Sequence, residues 1–220
     1  MNAITDLPKR SLTKVILAAV GAVIGAGLGF LVGRVLKAAQ VDATQLGWSD
    51  AAAGLIAACL LAMGMLILAM SFNRRAAGRM VDPHSPKPAT SAQASFYRQQ
   101  GLVSALAGLM MAAPVAVTVL NKGAPPVPIA IIAMLGVVAA FLVQTMVNLT
   151  LWRRSDELFR RVISETGASC FWIFQGLLFL WAVAEKLDLA PTLSSWDIMT
   201  LLMGLYLVAS TVTSMRRGLS

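Results

Sequence analysis

The sequence predicts an all-α, polytopic transmembrane helical bundle of six spans with both termini in the cytoplasm. Two observations set the class and a third sets the orientation. Of 220 residues, 58% are hydrophobic and 13% charged, a balance outside the range of soluble domains. The apolar residues are also blocked: uncharged runs of 19, 23, 23, 30, 19 and 18 residues separate Lys14 from Arg34, Asp50 from Arg74, Arg98 from Lys122, Lys122 from Arg153, Glu165 from Glu185, and Asp197 from Arg216. A helix needs about 20 apolar residues to cross a hydrocarbon layer about 30 Å thick, so each run meets or approaches one crossing. The expected spans of this single membrane domain are 15–36, 51–72, 101–120, 128–152, 167–185 and 197–214, with cytoplasmic loops 73–100 and 153–166.

Orientation follows from lysine and arginine. With the N-terminus inside, 14 of the 18 basic residues fall on the cytoplasmic side, and only Arg34, Lys37, Lys122 and Lys186 fall outside. The formal charge of +8 does not indicate nucleic acid, because the charges lie between apolar blocks and not along one face. Cys59 and Cys170 sit within apolar runs, where a thiol behaves as a small hydrophobe.

The first span, after Lys9, Arg10 and Lys14, has a basic start and an apolar run like those of a secretory signal peptide. Its run is longer than a typical signal core and ends in Arg34 and Lys37, which favours retention; cleavage would leave five spans and an outside N-terminus. Gly21, Gly25, Gly29 and Gly33 form three overlapping GxxxG steps on one of its faces, a groove that lets another backbone approach closely. The partner is another span of this chain, a second copy or another membrane protein.

Trp48, Trp181 and Trp196 fall at the expected outer ends of spans, and Phe72, Trp152 and Phe159 at the inner ends, as interfacial rings do. In the loop after the second span, Pro83, Pro86 and Pro88 surround His84, so its first half should be irregular. Either Thr90 or Ser91 is able to cap a helix that feeds into the third span. One histidine with no paired cysteines makes no metal site. Pro114 interrupts the third span and is placed to kink it.

The fourth span carries a stripe of Gly136, Ala140, Gln144 and Asn148, and the fifth carries Gln175. Gln144 and Gln175 both lie roughly 12 to 14 Å below the inner flank at 1.5 Å per residue. They are candidates to hydrogen-bond each other between helices or, with Asn148, to line a path for a small solute. Between these spans, Asp156 precedes Arg160 by four residues and Glu157 precedes Arg161 by four, the spacing and order of a cytoplasmic helix start.

All three outward-to-inward spans end on paired arginines, Arg74-Arg75, Arg153-Arg154 and Arg216-Arg217, and two of them begin near Trp48 with Asp50 and Trp196 with Asp197. A repeated hairpin accounts for this, as do independent uses of one topological anchor, and basic inner flanks are general enough to favour the second.

The segment Asp156-Glu157-Leu158-Phe159-Arg160-Arg161-Val162 resembles one found in small, uncharacterised bacterial multi-span membrane proteins, where D-E-L-x-R-R stands just ahead of a transmembrane helix. The likeness extends through Glu185, Pro191, Trp196 and Arg216-Arg217, the last third of the chain. It implies a bacterial inner-membrane location and no particular chemistry.

No ionisable residue falls in the central part of any span, against a proton relay, voltage sensor or charge-coupled carrier. Neither an HExxH motif, a nucleophile elbow nor a phosphate-binding loop is present. These features favour a non-enzymatic scaffold or complex subunit that meets the lipid bilayer and binds no cofactor, metal or nucleic acid. The rival is a carrier or channel for a neutral or lipid-like solute, lined by Gln144, Asn148 and Gln175 and hinged at Pro114. A lipid-modifying enzyme, the third reading, would draw on Asp156, Glu157, Glu165 and His84 inside, or Glu185, Asp188 and Asp197 outside.

Overall fold

The computed structural model describes residues 47–81 and 87–216. The first span, with Gly21, Gly25, Gly29 and Gly33, and the loop residues Pro83, His84 and Pro86 lie outside the described residues. The described chain is all-helical: α1 (Trp48–Phe72), α2 (Arg74–Val81), α3 (Ser91–Leu120), α4 (Val127–Arg154), α5 (Glu157–Lys186) and α6 (Ser195–Arg216). Five of the six, all but α2, are long and apolar enough to cross a membrane. The side bearing Arg74, Arg75, Arg153 and Arg154 is termed the basic side.

The helices outrun the apolar blocks because a charged residue ends a membrane-compatible run without ending a helix. The expected loop 153–166 shrinks to Ser155 and Asp156, since α5 begins at Glu157. The expected loop 73–100 contains α2 and the first ten residues of α3. Its first half is therefore helical where prolines predicted irregularity, because Arg74–Val81 lies ahead of Pro83. Asn73 opens α2 through its side chain, whose Oδ1 accepts from Arg75 N at 3.0 Å and Ala76 N at 3.4 Å. Thr90 caps α3: Thr90 Oγ1 accepts from Gln93 N at 3.2 Å, and Gln93 Oε1 accepts from Thr90 N at 2.9 Å. This reciprocal capping box makes α3 continuous from the basic side, and the helix runs through Pro114 to Leu120.

The tightest helix contact joins α1 and α3, antiparallel neighbours. A Cβ on Gly64 would sit 2.5 Å from Ala105 N and 2.8 Å from Gly101 O; one on Gly101 would sit 2.9 Å from Leu68 N; one on Gly108, 2.9 Å from Ala57 O. Those obstacles are backbone, so only glycine permits the approach. Buried positions of α1 (Ser49, Ala53, Ala57, Leu60, Gly64 and Ser71) and of α3 (Ala94, Gly101, Ala107, Gly108 and Met111) recur mostly at steps of three, four or seven residues. This averages 3.5 residues, the period of a seam between two helices.

The other helices assemble on this pair. α4 packs against α3, α6 against α1, and α5 against α6, so the order around the bundle is α4, α3, α1, α6, α5. α4 and α5 are consecutive yet do not pack along their lengths. Beyond the seam, Ala53, Ala57 and Met111 form a core cluster with Ile56, Val115, Trp196 and Met203. Trp196, expected as an interfacial anchor, thus packs between α1, α3 and α6. The remaining surface is apolar: the most hydrophobic stretch of α4 has no buried residue, and Ile132, Met134, Leu135 and Met146 are exposed, as a lipid-facing helix requires.

Gly64→Ala is expected to lower the thermal stability of the detergent-solubilised protein by about 1–3 kcal/mol, the cost of overpacking. A Cβ on Gly136 meets nothing within 4 Å, so Gly136→Ala is expected to be neutral or to stabilise by up to about 1 kcal/mol through helix propensity. Equal effects of the two changes would be incompatible with the seam.

Candidate functional site

In a lipid-embedded bundle, polar side chains at depth are the groups with chemistry to offer. Gln144 is half-buried on the α4 face that meets α3, and its Nε2 donates to the backbone oxygen of Val103 at 3.4 Å. Its partner is a main-chain carbonyl on α3 and not Gln175, which is exposed on α5. Asn148 is exposed as well, and Gly136 faces open space. The four-residue stripe therefore does not form one contact face. Each four-residue step overshoots a turn by about 40°, so Gly136 and Asn148 diverge by about 120°. The inward face of α4 instead runs Ala133, Val137, Ala140, Gln144, Val147 and Leu151, again alternating four and three.

The hydroxyls divide into two groups. Thr118, Thr145, Thr150 and Thr211 each donate to a carbonyl one turn back in their own helix, at 2.8 to 3.1 Å, the ordinary way a membrane helix satisfies threonine. Among the described residues, Thr166 and Thr200, each 2% exposed, have no hydrogen-bond partner for Oγ1, nor does the buried Nε1 of Trp196. Trp196 and Thr200 are one turn apart on α6. Next to them, Ser194 and Asp197 form a reciprocal cap: Asp197 Oδ2 accepts from Ser194 N at 2.9 Å and Ser194 Oγ at 2.8 Å, and Asp197 N donates to Ser194 Oγ at 3.1 Å. The buried Ser49 side chain of α1 lies near the Asp197 carboxylate, which brings the starts of α1 and α6 together. Sequence reading missed this junction, although Ser194-x-x-Asp197 has capping-box spacing.

At the basic side, Glu157 opens α5, where the helix dipole favours its charge. Arg161 Nε contacts Glu165 Oε1 at 2.9 Å, choosing the downstream carboxylate over Glu157. Arg160 Nε donates to Ser155 O at 2.9 Å, while Ser155 Oγ donates to Leu151 O at 2.6 Å. Arg160 and Ser155 thereby pin the junction between α4 and α5. Asp156 contributes its carbonyl to the first turn, accepting from Arg160 N at 3.1 Å.

Among the described residues, no three histidine, cysteine, aspartate or glutamate side chains gather as a metal site. What the geometry brings together is amides, hydroxyls and an indole, groups that bind by hydrogen bonding. No family model, curated protein or solved structure matches this chain.

Thr200→Val, a near-isosteric change, removes a buried hydroxyl that has no partner among the described residues. It is expected to hold or raise stability in thermal unfolding, by up to about 1–2 kcal/mol. Gln144→Leu, which removes a long hydrogen bond, is expected to cost less than about 1 kcal/mol in the same assay.

Proposed function

We propose that the chain is a non-enzymatic scaffold or complex subunit of the bacterial inner membrane, a six-span protein with both termini cytoplasmic. The observation that carries this reading is the destination of Gln144. The amide best placed to line a solute path is spent on the Val103 carbonyl across a helix contact, beside a pair of helices whose backbones leave no room for a Cβ. Side chains committed to helix packing hold a shape; they do not cradle a cargo.

The predominance of arginine on the basic side supports a cytoplasmic assignment for that side. The glycine face of the first span, Gly21, Gly25, Gly29 and Gly33, supports a close helix contact with another span of this chain, a second copy or another membrane protein.

The test uses single cysteines in a Cys59→Ser, Cys170→Ser background, probed in cells with a water-soluble, membrane-impermeant maleimide. Gln144→Cys is expected to stay unlabelled even after the membrane is opened. Lys122→Cys is expected to label in intact cells and Arg75→Cys only in opened ones. Labelling at position 144 would replace the scaffold with the carrier reading, in which Gln144, Asn148 and Gln175 face water. Labelling of positions 75 and 122 from one side would overturn the six-span orientation.

A further inference from the structure

We propose that α2 and the segment that returns beside it form a docking surface for the headgroup of an anionic phospholipid. The segment is a built shelf. Asn73 alone separates α2 from the membrane-spanning α1, and its carbonyl accepts from Ala77 N at 2.8 Å. Ala89 N donates to Arg74 O at 2.8 Å, and Arg74 Nε donates back to Ala89 O at 2.9 Å. A Cβ on Gly78 would run into the Lys87 carbonyl, and Ala77, Ala89 and Ala94 close a small buried cluster. With that face committed, α2 cannot roll about its axis.

What the shelf presents outward is cationic. Arg75 and Arg79 are exposed and four residues apart, so they share one face of α2. Among the described residues neither meets a carboxylate; the ion pair found is Arg161 with Glu165. Between Asp50 and Asp156 the sequence holds a single acid, Asp82. Like charges at this spacing oppose the helix unless an anion lies between them, and guanidinium groups fit phosphate oxygens through paired hydrogen bonds. The lipid is favoured over a free anion by the neighbouring apolar surface. The Phe72 ring, 71% exposed, ends α1, and the Arg98 guanidinium lies 4.6 Å from its centroid. A cationic shelf beside an exposed ring at the membrane boundary suits a molecule with a phosphate and acyl chains.

The test is native mass spectrometry of the full chain in detergent, titrated with phosphatidylglycerol and with phosphatidylcholine. The protein is expected to prefer phosphatidylglycerol, and the preference to weaken as salt rises from about 50 to about 300 mM. Each arginine near an anionic surface contributes about fivefold, so Arg75→Gln with Arg79→Gln is expected to weaken phosphatidylglycerol binding about 25-fold and to leave phosphatidylcholine unchanged. Arg153→Gln with Arg154→Gln, an equal charge loss elsewhere on the basic side, is expected to change it far less. Undiminished binding in the Arg75/Arg79 variant, or equal loss in both variants, overturns the proposal. Displacement of the lipid by about 10 mM inorganic phosphate overturns it too, and assigns the shelf to a free anion. Should the variant fail to fold, a phosphatidylglycerol preference in the unaltered protein that ignores salt is sufficient to overturn it.

Discussion

The close approach of α1 and α3 is the contact on which the rest of the bundle is built. In lipid, helix association gains nothing from hiding apolar surface from water, so it draws on van der Waals contact and hydrogen bonds. Gly64, Gly101 and Gly108 bring main chain against main chain and maximise that contact. α4 then docks on α3 and α6 on α1, with α6 side chains also reaching the Met111 cluster, and α5 packs chiefly on α6 among the described helices. Side chains larger than glycine at these positions would part the central pair and carry the outer helices with it.

Polar groups are distributed according to the same constraint. Where a helix faces lipid, threonine returns its hydroxyl to its own backbone, as at Thr145 and Thr150. Where helices meet, Gln144 reaches across to a carbonyl of α3, and Ser49 and Ser194 converge on Asp197 at the membrane edge. Thr166 Oγ1, Thr200 Oγ1 and Trp196 Nε1 depart from this pattern, buried with no partner among the described residues, and they lie on α5 and α6, the helices outside the central pair.

The two faces of the bundle are finished differently. On the side opposite the basic one, the α5–α6 turn uses a left-handed Asp188, and the Trp181 indole donates to Pro191 O at 3.1 Å. On the basic side the connections are pinned by arginines that bond backbone: Arg74 to Ala89 and Arg160 to Ser155. Arginine there serves both as a topological charge and as a strut, while Arg75, Arg79, Arg98, Arg153 and Arg154 are exposed. That asymmetry connects the folding of the loop to the surface it offers the membrane.

Several features were legible in the chain itself. Run lengths between charges located the five described apolar helices, Thr90 or Ser91 marked the start of α3, and Glu157 marked the start of α5, because hydrophobic thickness and helix capping act locally. Which face of each helix packs was not legible. A soluble helix shows its buried side by alternating polar and apolar residues, but a lipid-facing residue such as Ile132 and a packed one such as Met111 are equally apolar. The remaining signal is size, in Ala57, Gly64 and Ser71 against Ala94, Gly101 and Gly108, each set spaced by seven. It is easily overlooked beside a four-residue stripe such as Gly136 to Asn148, whose members drift apart around the helix. The partner of Gln144, the packing of Trp196 and the helicity of α2 were likewise decided by tertiary structure, since each depends on which backbone comes to lie within reach.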